Sequence, residues 1–223
     1  MGNRSIEFAE REFYHIYNRG VEKRTIYLDE RDHERFLELL YAANTVKPTD
    51  LRSISRVHES VYEWDRGESL VAIGAYCLMP NHFHLLLTPL REGGVSAFMN
   101  KLCTSYSMYF NRRYERTGAL FEGKFKAKHA DSDEYLKYLF AYIHLNPVKL
   151  LQSDWKERGI QDVEKAYEFV SQFRYSSLRD FQHKFRPEQA ILETTPFPMY
   201  FESAAAEKAE LVEWLSYADD GAK

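Results

Sequence analysis

Aromatic and β-branched residues crowd positions 13–20 (FYHIYNRG), and a glycine closes the run, which predicts a first strand. A helical pattern follows over 29–44. Phe36, Leu37, Leu39, Leu40 and Tyr41 recur at helical spacing, behind acids in the first turn. From 45 to 68 the pattern turns weak and polar, as expected of a variable insertion with a short strand at 53–57. The apolar run LVAIGAYCLM at 70–79 has strand length, Pro80-Asn81 signals a turn, and HFHLLLT at 82–88 resumes as a second strand. The pair predicts an antiparallel hairpin. Gly93-Gly94 interrupts the chain. An amphipathic helix then carries Phe98, Met99, Leu102, Tyr106, Tyr109 and Phe110 over 96–114. Along 125–130, Lys124, Lys126 and Lys128 alternate with Phe125, Ala127 and His129, the period of a strand. Ser132 is a good N-cap, with Asp133 and Glu134 behind it, for a helix reaching about residue 146.

The order strand, helix, strand, strand, helix, strand, helix predicts an α+β fold. It is a ferredoxin-like, RRM-like antiparallel sheet with helices packed on one face. That domain is expected over 8–150, with 45–68 inserted in it, and a mostly helical C-terminal extension over 151–223. No internal repeat or low-complexity tract interrupts it.

Composition narrows the class. Of 223 residues, 44% are hydrophobic and 29% charged, the balance of a globular protein rather than a disordered one. Aromatics at 15% exceed what such a chain commonly carries, so they serve a core, base-stacking platforms, or both. A net charge of −4 argues against indiscriminate coating of nucleic acid. The charge is unevenly spread, however. Between Lys101 and Lys128, seven cations, among them Arg112, Arg113, Arg116, Lys124 and Lys126, face only Glu115 and Glu122. The tail from 201 to 223 leans acidic, through Glu202, Glu207, Glu210, Glu213, Asp219 and Asp220. A basic middle on an acidic chain suits a localised phosphate-binding surface; a solvated helix face is the plainer reading. The two cysteines, Cys77 and Cys103, sit in apolar stretches and offer neither a disulfide framework nor a cysteine zinc site. The N-terminus does not read as a signal peptide, and no apolar run is long enough to span a bilayer, so a cytoplasmic protein is expected.

The chemistry concentrates at two places. In a strand, residues two apart share a face, so His82 and His84 emerge together while Phe83 enters the core. Paired imidazoles make half of a divalent metal site, or simply two exposed strand histidines. On the helix after Ser132, Tyr135, Tyr138, Tyr142 and Asn146 share one face. A tyrosine stripe is more often core, and Asn before Pro is also how an N-cap with Pro at N1 opens a helix. His15 either approaches the histidine pair or packs, and His144 points away from Tyr142.

Taken together, the stretches YHIYNRG, AYCLMPNHFHLLL, LFEGKFKAKHADSDEYLKYLFAYIHLNPVKL and FRYSSLRDF resemble the REP-associated tyrosine transposases. These belong to the single-tyrosine HUH transposases. The resemblance covers roughly residues 13–180 and weakens over 45–68 and beyond about 182. It implies His82 and His84 as paired metal ligands, Tyr142 as nucleophile, and Asn146 as a third, polar ligand where relatives can carry Gln. It also implies Mg²⁺ or Mn²⁺ as cofactor, although two imidazoles by themselves favour Mn²⁺ or Zn²⁺ over oxygen-seeking Mg²⁺. The implied reaction cleaves and rejoins single-stranded hairpin DNA through a 5′-phosphotyrosine, in a monomer or a homodimer. Lys124, Lys126 and Lys128, extended by Arg112, Arg113 and Arg116, are the expected DNA-backbone contacts.

Other readings compete. An RNA-recognition sheet would need aromatics where His82 and His84 stand and leaves Tyr142 without a role. A two-histidine phosphoesterase would need a second histidine motif that is absent. A domesticated or inactive relative that only binds hairpin DNA or RNA would keep every one of these residues.

Overall fold

The computed structural model describes residues 6–182 and 185–216. Asp219, Asp220 and Lys223 of the charged tail, and the end of the 151–223 extension, lie outside the described residues. Strand β1 (Phe13–Arg19) leads into helix α1 (Glu30–Ala42), whose N-cap Asp29 accepts from the Asp32 amide. Helix α2 (Leu51–Val57) precedes the hairpin of β2 (Val71–Met79) and β3 (His82–Pro89). Helix α3 (Gly94–Arg113), strand β4 (Lys126–Ala130) and helix α4 (Asp133–Leu145) complete the α+β core. Ser132 caps α4 through the Tyr135 amide. After a 3-10 stretch at Asn146–Leu150 come α5 (Trp155–Arg158), α6 (Val163–Gln172), α7 (Leu178–Phe181) and α8 (Ala204–Ser216).

The four strands form one antiparallel sheet in the order β2-β3-β1-β4. Alternation along β3 sends Phe83, Leu85 and Leu87 into a core with Phe36, Leu37 and Leu40 of α1 and Phe98, Met99, Leu102 and Tyr106 of α3. The opposite face carries a second apolar cluster in which Leu136, Leu139, Phe140 and Ile143 of α4 cover Ala72, Ala75, Cys77 and Leu86. Helices therefore sandwich the sheet, where the sequence predicted them on one face. The reason lies in β2, whose nine residues are all buried and so must be covered on both sides. A bulge between Ile73 and Ala75 switches the parity of that strand. At the bulge, a Cβ on Gly74 would meet the Phe197 ring at 2.7 Å, so only glycine admits that ring.

Residues 51–57, expected to include a short strand, form α2 instead, capped by Asp50 through the Arg52 amide. Ile54 and Val61 bury in the α1 core, so this polar stretch is tied to the fold at two points. The open edge of β2 is covered by the FRYSSLRDF segment. The Leu78 amide donates to the Tyr175 carbonyl and the Ser177 amide to the Tyr76 carbonyl, both close to 3 Å. The Tyr76 amide in turn donates to Ser177 Oγ. That edge is thereby satisfied rather than left open to pairing.

Candidate active site on the sheet face beneath helix 4

The period of β3 puts His82 and His84 on the α4 side of the sheet, and antiparallel register brings β1 beside them. Tyr17 lies directly opposite His84, and His15 sits two pairs further along, opposite Leu86. His15 and His84 are each only 6% exposed. Their rings stack at 4.9 Å, with His15 Nε2 2.7 Å from His84 Nδ1. The ring of His82 stands perpendicular to that of His84 at 5.0 Å. His82 Nδ1 donates to Asn81 Oδ1 at 2.6 Å, and the Asn81 amide nitrogen is anchored on the Lys23 carbonyl. Both imidazoles are thus held through Nδ1, and no hydrogen bond engages Nε2 of either among the described residues.

Tyr142 comes down onto this group from α4. Its ring meets the edges of His84 at 5.5 Å and His15 at 5.6 Å. The tyrosine stripe is real but is not core: Tyr135, Tyr138 and Tyr142 are each half-buried, with rings 6.0 and 5.7 Å apart along the helix. Asn146, at the end of α4, donates from Nδ2 to the Tyr142 carbonyl at 2.8 Å. Its Oδ1 is buried and accepts no hydrogen bond among the described residues. A buried acceptor without a donor carries a desolvation penalty, and a cation is one way to offset it.

Charge at the site follows from burial. His84 is pushed well below the ordinary imidazole range by desolvation, then by His15, His82 and Lys149. His82 falls to about 4 through burial, Lys149 and Arg19, and His15 to about 4 through burial and Lys128. All three imidazoles are therefore neutral near pH 7, the state that can ligate a metal. Burial and the neighbouring Tyr138 push the Tyr142 phenol upward, while Asn146 pulls it partly back. Tyr142 thus rests as a phenol and would need positive charge nearby to ionise.

That charge is close by. Lys156 Nζ lies 4.8 Å from the centre of the Tyr142 ring and Lys149 Nζ 5.9 Å. Lys128 Nζ sits 4.3 Å from the Tyr135 ring. The sequence reading singled out Lys128 but missed Lys149 and Lys156. Lys149 was within reach, because Tyr142, Asn146 and Lys149 fall at i, i+4 and i+7 of one helical face.

The other expected DNA contacts separate. Lys126 and Lys128 pair with Tyr17 and His15 and so point to the site. Lys124 sits in the bend before β4 and lines a groove of about 1160 Å³ with Asn18, Ser96 and Asn100, on the α3 side. Arg112 is exposed at the end of α3, on that same far side. Arg113 closes on Asp29 and Asp32 at 2.5 and 2.6 Å, and Arg116 is bound to Asn111 Oδ1. Alternation could not foresee this, because the chain turns at Gly123 (φ 147°) just before Lys124. His144 faces away from Tyr142, as its spacing implied, and meets Ser177 Oγ at 2.9 Å.

Residues 52–146 match the family model described as "Transposase IS200 like". Over that stretch the chain is similar to the IS200-like transposases. The matched stretch runs from α2 through α4 and includes both strand histidines and Tyr142, while β1 with His15 lies outside it. No curated protein matches the chain in sequence. In fold it is similar to a solved structure of a REP-associated tyrosine transposase bound to a REP hairpin. That similarity has a TM-score of 0.50 at 13% identity, over 91% of this chain and 100% of the other. No helix among the described residues is long and apolar enough to cross a membrane.

Proposed function

We propose that the protein cleaves and rejoins single-stranded hairpin DNA through a covalent bond to Tyr142, as a metal-dependent transposase of the REP-associated kind. The observation that carries the reading is the Tyr142 ring seated on His84, with His82 beside His84, Asn146 bonded to the Tyr142 carbonyl, and Lys149 and Lys156 over the ring. Tyr142 Oη attacks the phosphorus, the bond from phosphorus to the 3′ oxygen breaks, and that oxygen leaves as a 3′-hydroxyl after taking up a proton. The product is a 5′-phosphotyrosine. Because the ester bond keeps the free energy of the broken phosphodiester, the reverse attack by a 3′-hydroxyl rejoins DNA without a nucleotide cofactor.

The donor set fits a divalent cation, Mg²⁺ or Mn²⁺. Two neutral imidazoles each have Nδ1 engaged by a protein partner, and Asn146 supplies a buried oxygen without a donor. Among the described residues no three His, Cys, Asp or Glu side chains form a metal-binding group, so Asn146 and oxygens from DNA or water must complete the set. The imidazoles favour Mn²⁺. When bound, the cation supplies charge against the developing negative charge on the attacked phosphate. Lys149 and Lys156 hold the phosphate from the helix side and favour the phenolate form of Tyr142. The hairpin seen on the structural neighbour suggests the same class of DNA here.

The test compares wild type with Tyr142→Phe on single-stranded hairpin DNA in Mn²⁺. The variant is expected to form no covalent adduct while binding the hairpin with wild-type affinity. Undiminished adduct from the variant would move the nucleophile to Tyr138 or Tyr135.

A further inference from the structure

His15 is the one imidazole at this site to which the proposed chemistry gives no task. It lies on β1, outside the stretch that matches the transposase family, and 69 residues from His84. Yet its Nε2 makes the shortest polar contact at the site that involves two histidines, 2.7 Å to His84 Nδ1. The two rings stack with planes 25° apart, and both side chains are buried. A contact this short between two imidazole nitrogens requires one proton between them.

Only two arrangements satisfy it. If His15 donates, the proton of His84 sits on Nε2, and that nitrogen cannot bind a cation. If His84 donates, Nδ1 carries the proton and Nε2 presents a bare lone pair. His82 shows which pattern the site is built for. Its Nδ1 faces the side-chain oxygen of Asn81, an atom that can only accept, so His82 carries its proton on Nδ1 and leaves Nε2 bare.

We propose that His15 is a positioning residue that accepts the Nδ1 proton of His84, locking the ring in the tautomer and orientation that present Nε2 to the cation. It plays for His84 the part that Asn81 plays for His82. A partner on the far nitrogen of a ligating histidine raises ligand basicity and removes ring rotation, and its loss commonly weakens metal binding about 10- to 100-fold. The His84 ring also lies against those of Tyr17 and Tyr142, at 6.0 and 5.5 Å between centroids. His15 itself needs no contact with the cation. This assignment deepens the metal reading of His82 and His84 and rests on it for its purpose, although the tautomer itself exists without metal.

Two measurements on the full chain test it. In metal-free protein, nitrogen-15 NMR of the imidazoles is expected to show His84 protonated at Nδ1 with Nε2 bare, and His15→Ala to convert it to a mixture of tautomers. Titration with Mn²⁺ alone, followed by electron paramagnetic resonance, is expected to show the dissociation constant rising about 10- to 100-fold in His15→Ala. His15→Gln, whose amide oxygen can accept the same proton, is expected to recover most of that loss, which a purely space-filling role would not require. A wild-type His84 protonated at Nε2 overturns the proposal. So does a His15→Ala protein with unchanged tautomer and unchanged Mn²⁺ affinity. If His15→Ala does not fold, the wild-type tautomer and the His15→Gln affinity decide the matter. Wild type that shows the stated tautomer but binds no Mn²⁺ sinks the metal reading while leaving the His15–His84 hydrogen bond as described.

Discussion

Lys149 and Lys156 sit where a phosphate approaching Tyr142 would lie, and Arg113 does not, although all three look alike as cations in the sequence. Their removal should differ in kind. Lys149→Ala and Lys156→Ala are each expected to weaken hairpin binding across sequences and to lower its salt dependence by about one counterion. Arg113→Ala leaves Asp32, fully buried, without its cation, and is expected to lower stability by about 2–4 kcal/mol with hairpin affinity unchanged. Salt titrations of binding and denaturant unfolding separate the two. An unchanged salt slope in both lysine variants would return those side chains to solvent-facing surface. The strand histidines were legible in the sequence because a period of two is a local rule. Whether His15 approaches them or packs stayed open, because its approach to His84 depends on the register between strands 69 residues apart. Register is fixed by the whole apolar pattern and not by either motif.

At the scale of elements, strands and helices were legible wherever an apolar face repeats over several turns, as in α1, the β2–β3 hairpin and α4. The segment at 51–57 failed because seven residues give too little pattern to tell a helix from a strand. The partner of α4 on its outer side was equally hidden. Helix α8 docks there through Lys137–Glu210 at 2.9 Å, Tyr138 against Trp214 at 5.1 Å, and Glu207 buried 3.8 Å from His144. Both Glu207 oxygens lack a hydrogen bond among the described residues, and burial raises the carboxyl to about 8. Burial holds His144 down to about 3, so it supplies no cation there. A carboxyl raised from its ordinary 4.5 binds more protons folded than unfolded between about pH 4.5 and 8. Stability is therefore expected to fall as pH rises through that window. Glu207→Gln should match wild type near pH 5 and exceed it by about 2–3 kcal/mol at pH 9, read from denaturant unfolding at several pH values. Parallel stability curves for the two proteins would contradict this account of how α8 seats on the tyrosine helix.

Over the whole molecule, α4 is held between two packed bodies. One side lies on the sheet through Leu136, Leu139 and Phe140. The other carries Ala141 and Leu145, with Val148 just beyond the helix, into a third cluster with Trp155, Val170, Leu178 and Leu211. A helix packed on both sides holds Tyr142 to a narrow range of positions over the histidines, the preorganisation that the proposed attack would need. The α+β class and its antiparallel sheet followed from element order. The two-sided covering did not, because it depends on the fully buried β2 and on a parity change at its bulge. The most direct test of the central claim is to incubate the protein with single-stranded hairpin DNA and Mn²⁺ or Mg²⁺, resolve it under denaturing conditions, and map the modified peptide by mass. The account predicts a metal-dependent protein–DNA adduct on the peptide containing Tyr142. Tight hairpin binding with no adduct across a varied pool of hairpins would contradict it and favour a protein that binds such DNA without cutting it.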